Sequence, residues 1–244
     1  MDVTALALEA YLHILEASVN DQSIDTHQLL AFVKSSVLNA IRTGMLDVAN
    51  KTDRELQRAV FSYIAEWGKE PVLTTHLNLN YTNELLDEAL NAVERENGLL
   101  AIILYATWCE HWINGIITSI AQRQGMTGVQ IEKLFKGNRS LFLKYTKVLD
   151  GLGLPRFDES IREALLKLAK QRNDFVHYKW ESLIVDDLAS LKWFEEIDQL
   201  LASMPANIEA LKDYENHHIY FGVIPYIDRL FERLAEQLAR QTQK

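Results

Sequence analysis

The sequence predicts an all-α protein, a helical bundle, and three observations carry that prediction. Gly and Pro are scarce, 10 and 4 among 244 residues, so the chain lacks the turn punctuation that sheet-rich folds need. Apolar residues recur at three- and four-residue spacing along most of the chain. Polar stretches able to cap helices fall between those runs. With 48% hydrophobic and 24% charged residues, the chain has the composition of a globular protein long enough to bury a real core.

Residues 5–43 carry apolar positions at helical spacing, first Leu8, Tyr11, Leu12 and Leu15, then Leu29, Leu30, Val33, Val37 and Ile41. The polar break at residues 20–26 separates two helices, and Gly44 sits where the second would end. Thr52 and Glu55 form a capping-box pattern that opens a helix through Leu56, Val60, Ile64 and Trp67, closed by Gly68 and Pro71. Residues 71–81 alternate apolar and polar side chains, which suits an extended segment or a loop and marks a boundary. The expected organisation is thus an N-terminal helical extension of unassigned role, 1–80, followed by a helical domain with C-terminal helices, 81–244. Thr82 or Asn83 caps a helix through Leu86, Leu90 and Val93.

From Asn97 the chain turns strongly apolar, through Leu99, Ile102, Tyr105, Trp108, Trp112, Ile116 and Ile120. A helix apolar on most sides belongs in the centre of a bundle or at an interface, and this one should end near Gln124-Gly125. One mixed helix is expected over about 129–149, then a loop from Gly151 to Pro155. Asp158 or Ser160 starts the next helix. Asp186-Asp187 reads as a further helix start, and helices are expected near 188–203 and 225–242, separated by Pro205 and the Gly222–Pro225 region. His217-His218 reads as part of a polar surface loop.

A single cysteine, Cys109, excludes an internal disulfide and any multi-cysteine zinc site. Met1-Asp2-Val3-Thr4 has no basic n-region of a signal peptide, and the longest uninterrupted apolar run, Leu99 to Tyr105, falls short of the ~18 residues of a membrane span. A cytoplasmic protein without membrane contact is expected. Net charge −9 argues against unspecific coating of nucleic acid. Locally the sign reverses. Lys133, Lys136, Arg139, Lys144 and Lys147 lie in a stretch without an acid, and Arg156 follows. The stretch reads either as an RNA-phosphate contact surface, with Phe135, Phe142 or Tyr145 for base stacking, or as a solvated helix face over core aromatics. Lys167, Lys170 and Lys179 farther along favour the contact surface.

The segment richest in chemistry is Arg172-Asn173-Asp174-Phe175-Val176-His177. The helix before it presents Ile161, Ala164, Leu165, Leu168 and Ala169 as its core stripe, and Arg172 continues that stripe four residues after Leu168. A charge there needs a partner or an interface. His177 follows Asn173 by one turn, so both share a face. Cleaving RNA through its 2′-hydroxyl needs a base, an acid and positive charge at phosphorus. Imidazole titrates near neutrality, and guanidinium matches phosphate oxygens. A two-fold dimer would supply two of each around one cleft. The opposite reading leaves Arg172 paired with an acid such as Glu163 or Asp174, and His177 as a helix-terminal histidine favoured by the dipole.

Arg172-Asn173, three further residues and His177 resemble the Arg-x4–6-His motif of the HEPN superfamily, whose motif arginine is followed by a polar residue. The resemblance covers residues 83–204 and implies a HEPN-like helical bundle. It further implies a homodimer that juxtaposes the two motif helices, and metal-independent endoribonuclease activity as in toxin–antitoxin and abortive-infection proteins. By the same resemblance Arg172 and His177 are catalytic and Asn173 supports them. The segment Tyr105–Asn114 is similar to the preceding helix of several HEPN families, which carries Glu110 over as a residue facing the site. No cofactor and no metal are expected. The expected partners are a structured or tRNA-like RNA rather than DNA, a second copy of the chain, and a regulatory or antitoxin protein.

Other features are weaker. Cys109, Glu110 and His111 are consecutive, so a helix points them apart and they make no metal site. No Gly-rich phosphate loop, Gly-x-Ser-x-Gly elbow or His-Glu-x-x-His occurs. Trp108 and Trp112 at helical spacing read as core or interface. The alternative function is a non-catalytic helical interaction module, dimeric through the apolar helix at 99–120, that binds a protein or a nucleotide.

Overall fold

A computed structural model describes residues 26–67, 82–177 and 187–241. Among the described residues every regular element is a helix, so the all-α class holds. The expected first helix and the alternating segment 71–81 lie outside the described residues. The chain divides into two compact units, residues 1–77 with 214–244, and residues 78–213. Residues 214–244, expected within the 81–244 domain, group instead with the N-terminal unit.

In the first unit α1 (Thr26–Thr43) and α2 (Asp53–Trp67) pack together through Val33, Val37, Ile41, Leu56, Val60 and Ile64. Gly44 takes the left-handed conformation, φ 79°, that ends α1, and the Thr52–Glu55 capping box forms with a 2.9 Å bond to the Thr52 amide. The last helix, α10 (Ile224–Gln241), lies against α1 and buries Ile227, Leu230 and Phe231. An ion pair of 2.8 Å between Lys34 and Asp228 joins the two helices at the surface. Burial of this apolar stripe is what draws the C-terminal residues to the N-terminal unit.

In the second unit α3 (Thr82–Glu94) runs beside the central α4 (Gly98–Arg123). Asn97 caps α4, accepting the Leu100 amide at 3.2 Å. By length and mean hydropathy α4 is apolar enough to cross a membrane, although its continuous apolar runs are short. Its apolarity has another use here. Ile102, Tyr105, Trp108, Trp112, Ile113, Ile116 and Ile117 are all buried inside the protein. The Trp pair is core, with Trp112 also against Phe157 at 5.8 Å between ring centroids. α4 is thus packed within its own unit, and Leu100 is its exposed large apolar residue among the described ones.

The single helix expected over 129–149 is divided. α5 (Gly128–Gly137) opens on a Thr127–Gln130 capping box and ends where the Asn138 side-chain amide donates to the Leu134 carbonyl at 2.9 Å. Ser140 then caps a new start, α6 (Leu141–Leu143), followed by a π-helical turn, Lys144–Val148, and α7 (Leu149–Gly151). The motif helix α8 (Glu159–Val176) follows Asp158, packs on α4 and buries Leu165 and Leu168.

The helix expected near 225–242 stands as α10, whereas the one expected near 188–203 is longer, α9 (Asp187–His218), and runs through Pro205. Met204, Ile208 and Leu211 are buried on both sides of it, and their packing outweighs the backbone hydrogen bond that proline forgoes. His217 and His218 accordingly end a helix rather than sit in a loop, with the His218 ring 4.5 Å from that of Tyr214. The division between the two units falls within α9, between Asp213 and Tyr214.

Candidate functional site

Three elements of the second unit bring charged side chains to one place. α4 contributes Glu110, the π turn Lys144, and α8 Arg172 and Asn173. Arg172 Nη1 donates to Glu110 Oε2 at 3.1 Å, across 62 residues of sequence. Arg172 Nε and Nη2 donate to Asn173 Oδ1 at 3.3 and 3.2 Å. The charge on the apolar stripe thus meets an acid from the neighbouring helix. Asn173 orients the guanidinium. These bonds engage three of the five N–H groups a guanidinium carries.

Lys144 Nζ lies 3.5 Å from Glu110 Oε1, so each carboxylate oxygen faces one cation. Lys144 is only 5% exposed, and its ammonium stands 5.7 Å from the centroid of the Phe135 ring. Burial pulls the Glu110 carboxyl upward, but the Arg172 hydrogen bond and the nearby Lys144 and Arg172 charges outweigh it and hold the group below its ordinary range. Beneath this cluster Tyr145 is wholly buried, edge-on to Phe157. Burial, with the nearby Glu110 carboxylate adding to it, pushes its phenol well above the ordinary value. Cys109 is buried beside Glu110, and burial pushes its thiol up, while His111 is exposed.

His177 stands at the C-cap of α8, where its backbone N–H donates to the Asn173 carbonyl at 3.0 Å. Its side chain is exposed, and among the described residues its ring takes no hydrogen-bond partner. The arrangement is therefore a tethered guanidinium and, five residues on, an accessible imidazole. The first can hold an anion and the second can exchange a proton with solvent or substrate.

The basic residues separate into kinds. Lys133, Arg139 and Lys147 are exposed. Lys136 is exposed and paired with Glu132 at 2.6 Å, and Lys170 pairs with Asp174 at 2.9 Å. Arg156 is held by Asp150, and Lys167 lies 4.0 Å from Glu196. Lys144 leaves the set, since it is buried in the Glu110 cluster, and Lys179 lies outside the described residues. Of the aromatics considered for stacking, Phe142 is exposed, Phe135 is half-buried and Tyr145 is in the core.

Two features of the site escaped the sequence reading. One is Lys144 as a partner of Glu110, although the stripe argument that singled out Arg172 fits it too, with Leu141 three residues before and Val148 four after. The other is the buried Gln171, whose Oε1 accepts the Trp193 indole N–H at 2.7 Å and ties α8 to α9. No local signal pairs those two side chains. Compared with protein-family models, with curated proteins and with solved structures, the chain finds no match.

Proposed function

We propose that this chain is a HEPN-type endoribonuclease that works as a homodimer on structured RNA in the cytoplasm, in a defence or toxin–antitoxin setting. The observation that carries this reading is the tethering of Arg172 by Glu110 and Asn173, five residues before an exposed His177. It supplies the two kinds of group the reaction needs, a held cation for the phosphate and an accessible imidazole for proton transfer.

In this mechanism one imidazole takes the proton of the RNA 2′-hydroxyl and O2′ attacks the adjacent phosphorus. The P–O5′ bond breaks, and a second imidazole, protonated, gives its proton to the departing O5′. The products carry a 2′,3′-cyclic phosphate and a 5′-hydroxyl. Arg172 stabilises the charge that accumulates on the phosphoryl oxygens. Each chain supplies one such pair, so two copies related by a two-fold axis complete the acid–base couple. The dimer seam belongs along α8, where Val176 and His177 are exposed, because α4 is already packed within its own unit.

The test is incubation of the purified protein with labelled total RNA and tRNA in EDTA, beside a folded His177→Ala variant of unchanged oligomeric state. Expected is wild-type cleavage leaving 2′,3′-cyclic ends, slowed by about 100-fold or more in the variant, the least that loss of a positioned acid or base costs. Equal cleavage by both proteins would remove His177 from the mechanism. No cleavage by either would move the assignment to the interaction module.

A further inference from the structure

We propose that Lys144 is a positioning residue of this site, acting on the RNA phosphate through Glu110 and Arg172 rather than by touching it. The proposal rests on the ribonuclease reading of the same residues.

Three observations carry it. Lys144 is 5% exposed, whereas Lys133, Arg139 and Lys147 from the same basic stretch reach solvent. An ammonium is costly to bury and remains charged only beside a compensating group, here Glu110 and the Phe135 ring. The Glu110 carboxylate is divided, Oε1 towards Lys144 and Oε2 towards Arg172. Finally, the residue opens the Lys144–Val148 π turn, a local winding that often marks a functional position.

Charge decides what the arrangement does. A lone Glu110–Arg172 pair would be neutral, and a phosphate approaching Arg172 would meet a guanidinium whose charge is already offset. With Lys144 sharing the carboxylate, two cations face one anion and a single positive charge remains. Glu110 can then tether Arg172 without cancelling it. Because Lys144 lies below the surface, its removal changes the charge in the transition state and the aim of Arg172 while leaving the RNA contact surface as it was.

The experiment measures kcat and KM of the full-length dimer on a defined tRNA substrate for wild type, Lys144→Met, Lys144→Arg, Arg172→Ala and the Lys144→Met/Arg172→Ala double variant. Lys144→Met should lower kcat by about 10- to 100-fold, the range for a residue that supports a working group through another. KM should stay within about twofold, since uniform binding is untouched. Lys144→Arg, which keeps the charge, should restore most of kcat, and Lys144→Met should cost nothing further once Arg172 is gone.

A rise in KM at unchanged kcat would overturn the proposal and make Lys144 a direct phosphate contact. Equal, additive losses in the two backgrounds would overturn it as well. Should Lys144→Met not fold, Lys144→Gln is measured in its place against the same criteria. The Nε–Hε resonance of Arg172 separates this proposal from the reading beneath it. A resonance unmoved by the Lys144 substitution overturns the coupling whatever the activity. A resonance that the Lys144 substitution moves, together with a wild-type protein that cleaves no RNA, leaves the coupling standing but overturns its catalytic role.

Discussion

Tyr145 shows how one side chain can report on the site. It is wholly buried, and among the described residues its hydroxyl has no hydrogen-bond partner. An unsatisfied buried hydroxyl costs about 1–3 kcal/mol, while the ring keeps its edge-on contact with Phe157 without it. Tyr145→Phe should therefore raise stability by about 1 kcal/mol in denaturant unfolding. A loss of that size would mean that the hydroxyl is bonded after all. Glu110 makes a prediction of opposite character. Its folded carboxyl is held below the ordinary value, so what it contributes is present above the unfolded value, about pH 4.3, and is lost as pH falls through the folded one. The stability gap between wild type and Glu110→Gln should be widest near neutrality and shrink below about pH 4.3. A gap constant with pH would exclude an ionised Glu110 as the anchor. Arg172 was legible from sequence because a cation on an apolar stripe demands a partner. Which partner was not legible from the stripe, since Glu110 lies 62 residues away and only tertiary packing brings it near.

Helices were legible wherever local chemistry and burial agree. The Thr52–Glu55 box and the start of α8 after Asp158 both stand where sequence placed them. The π turn was not legible, because the stretch from Leu141 to Val148 has the composition of an ordinary helix and no residue type specifies the extra winding. Pro205 misled for the reverse reason. A strong local breaker was overruled by Met204, Ile208 and Leu211, whose burial holds the helix on both sides. That conflict is measurable. Pro205 is exposed, so Pro205→Ala loses little packing and restores a backbone donor within α9. The substitution should stabilise the protein by about 2 kcal/mol, the roughly 3 kcal/mol that an interior proline costs less the unfolded-state entropy it saves. A destabilised Pro205→Ala variant would show that the proline ring itself is needed at this point of the helix.

For the molecule as a whole, sequence did not show the return of the C-terminus to the N-terminal unit. Only the matching of two amphipathic faces, α1 and α10, decides that. Charge is where the whole molecule bears on function. A net −9 repels polyanions at long range, and the basic stretch offsets it locally with fewer groups than a count of lysines suggests. Lys144 is buried, and Lys136 and Lys170 have carboxylate partners. Lys133, Arg139 and Lys147 remain as exposed residues of the stretch with no ion-pair partner among the described residues. Each phosphate neutralised on a single strand adds about −0.7 to the slope of log affinity against log salt, so three contacts predict a slope of about −2. The measurement is tRNA binding by His177→Ala, chosen so that substrate is not consumed, titrated across a range of salt. Reversing Lys133, Arg139 and Lys147 together should flatten the slope, leaving the contribution of Arg172, and weaken binding at low salt. Reversal of Lys136, whose charge is already matched by Glu132, should change the slope less than reversal of Lys147. A steep slope that survives the triple reversal would place the RNA on another face, and the basic stretch would then be a solvated helix surface.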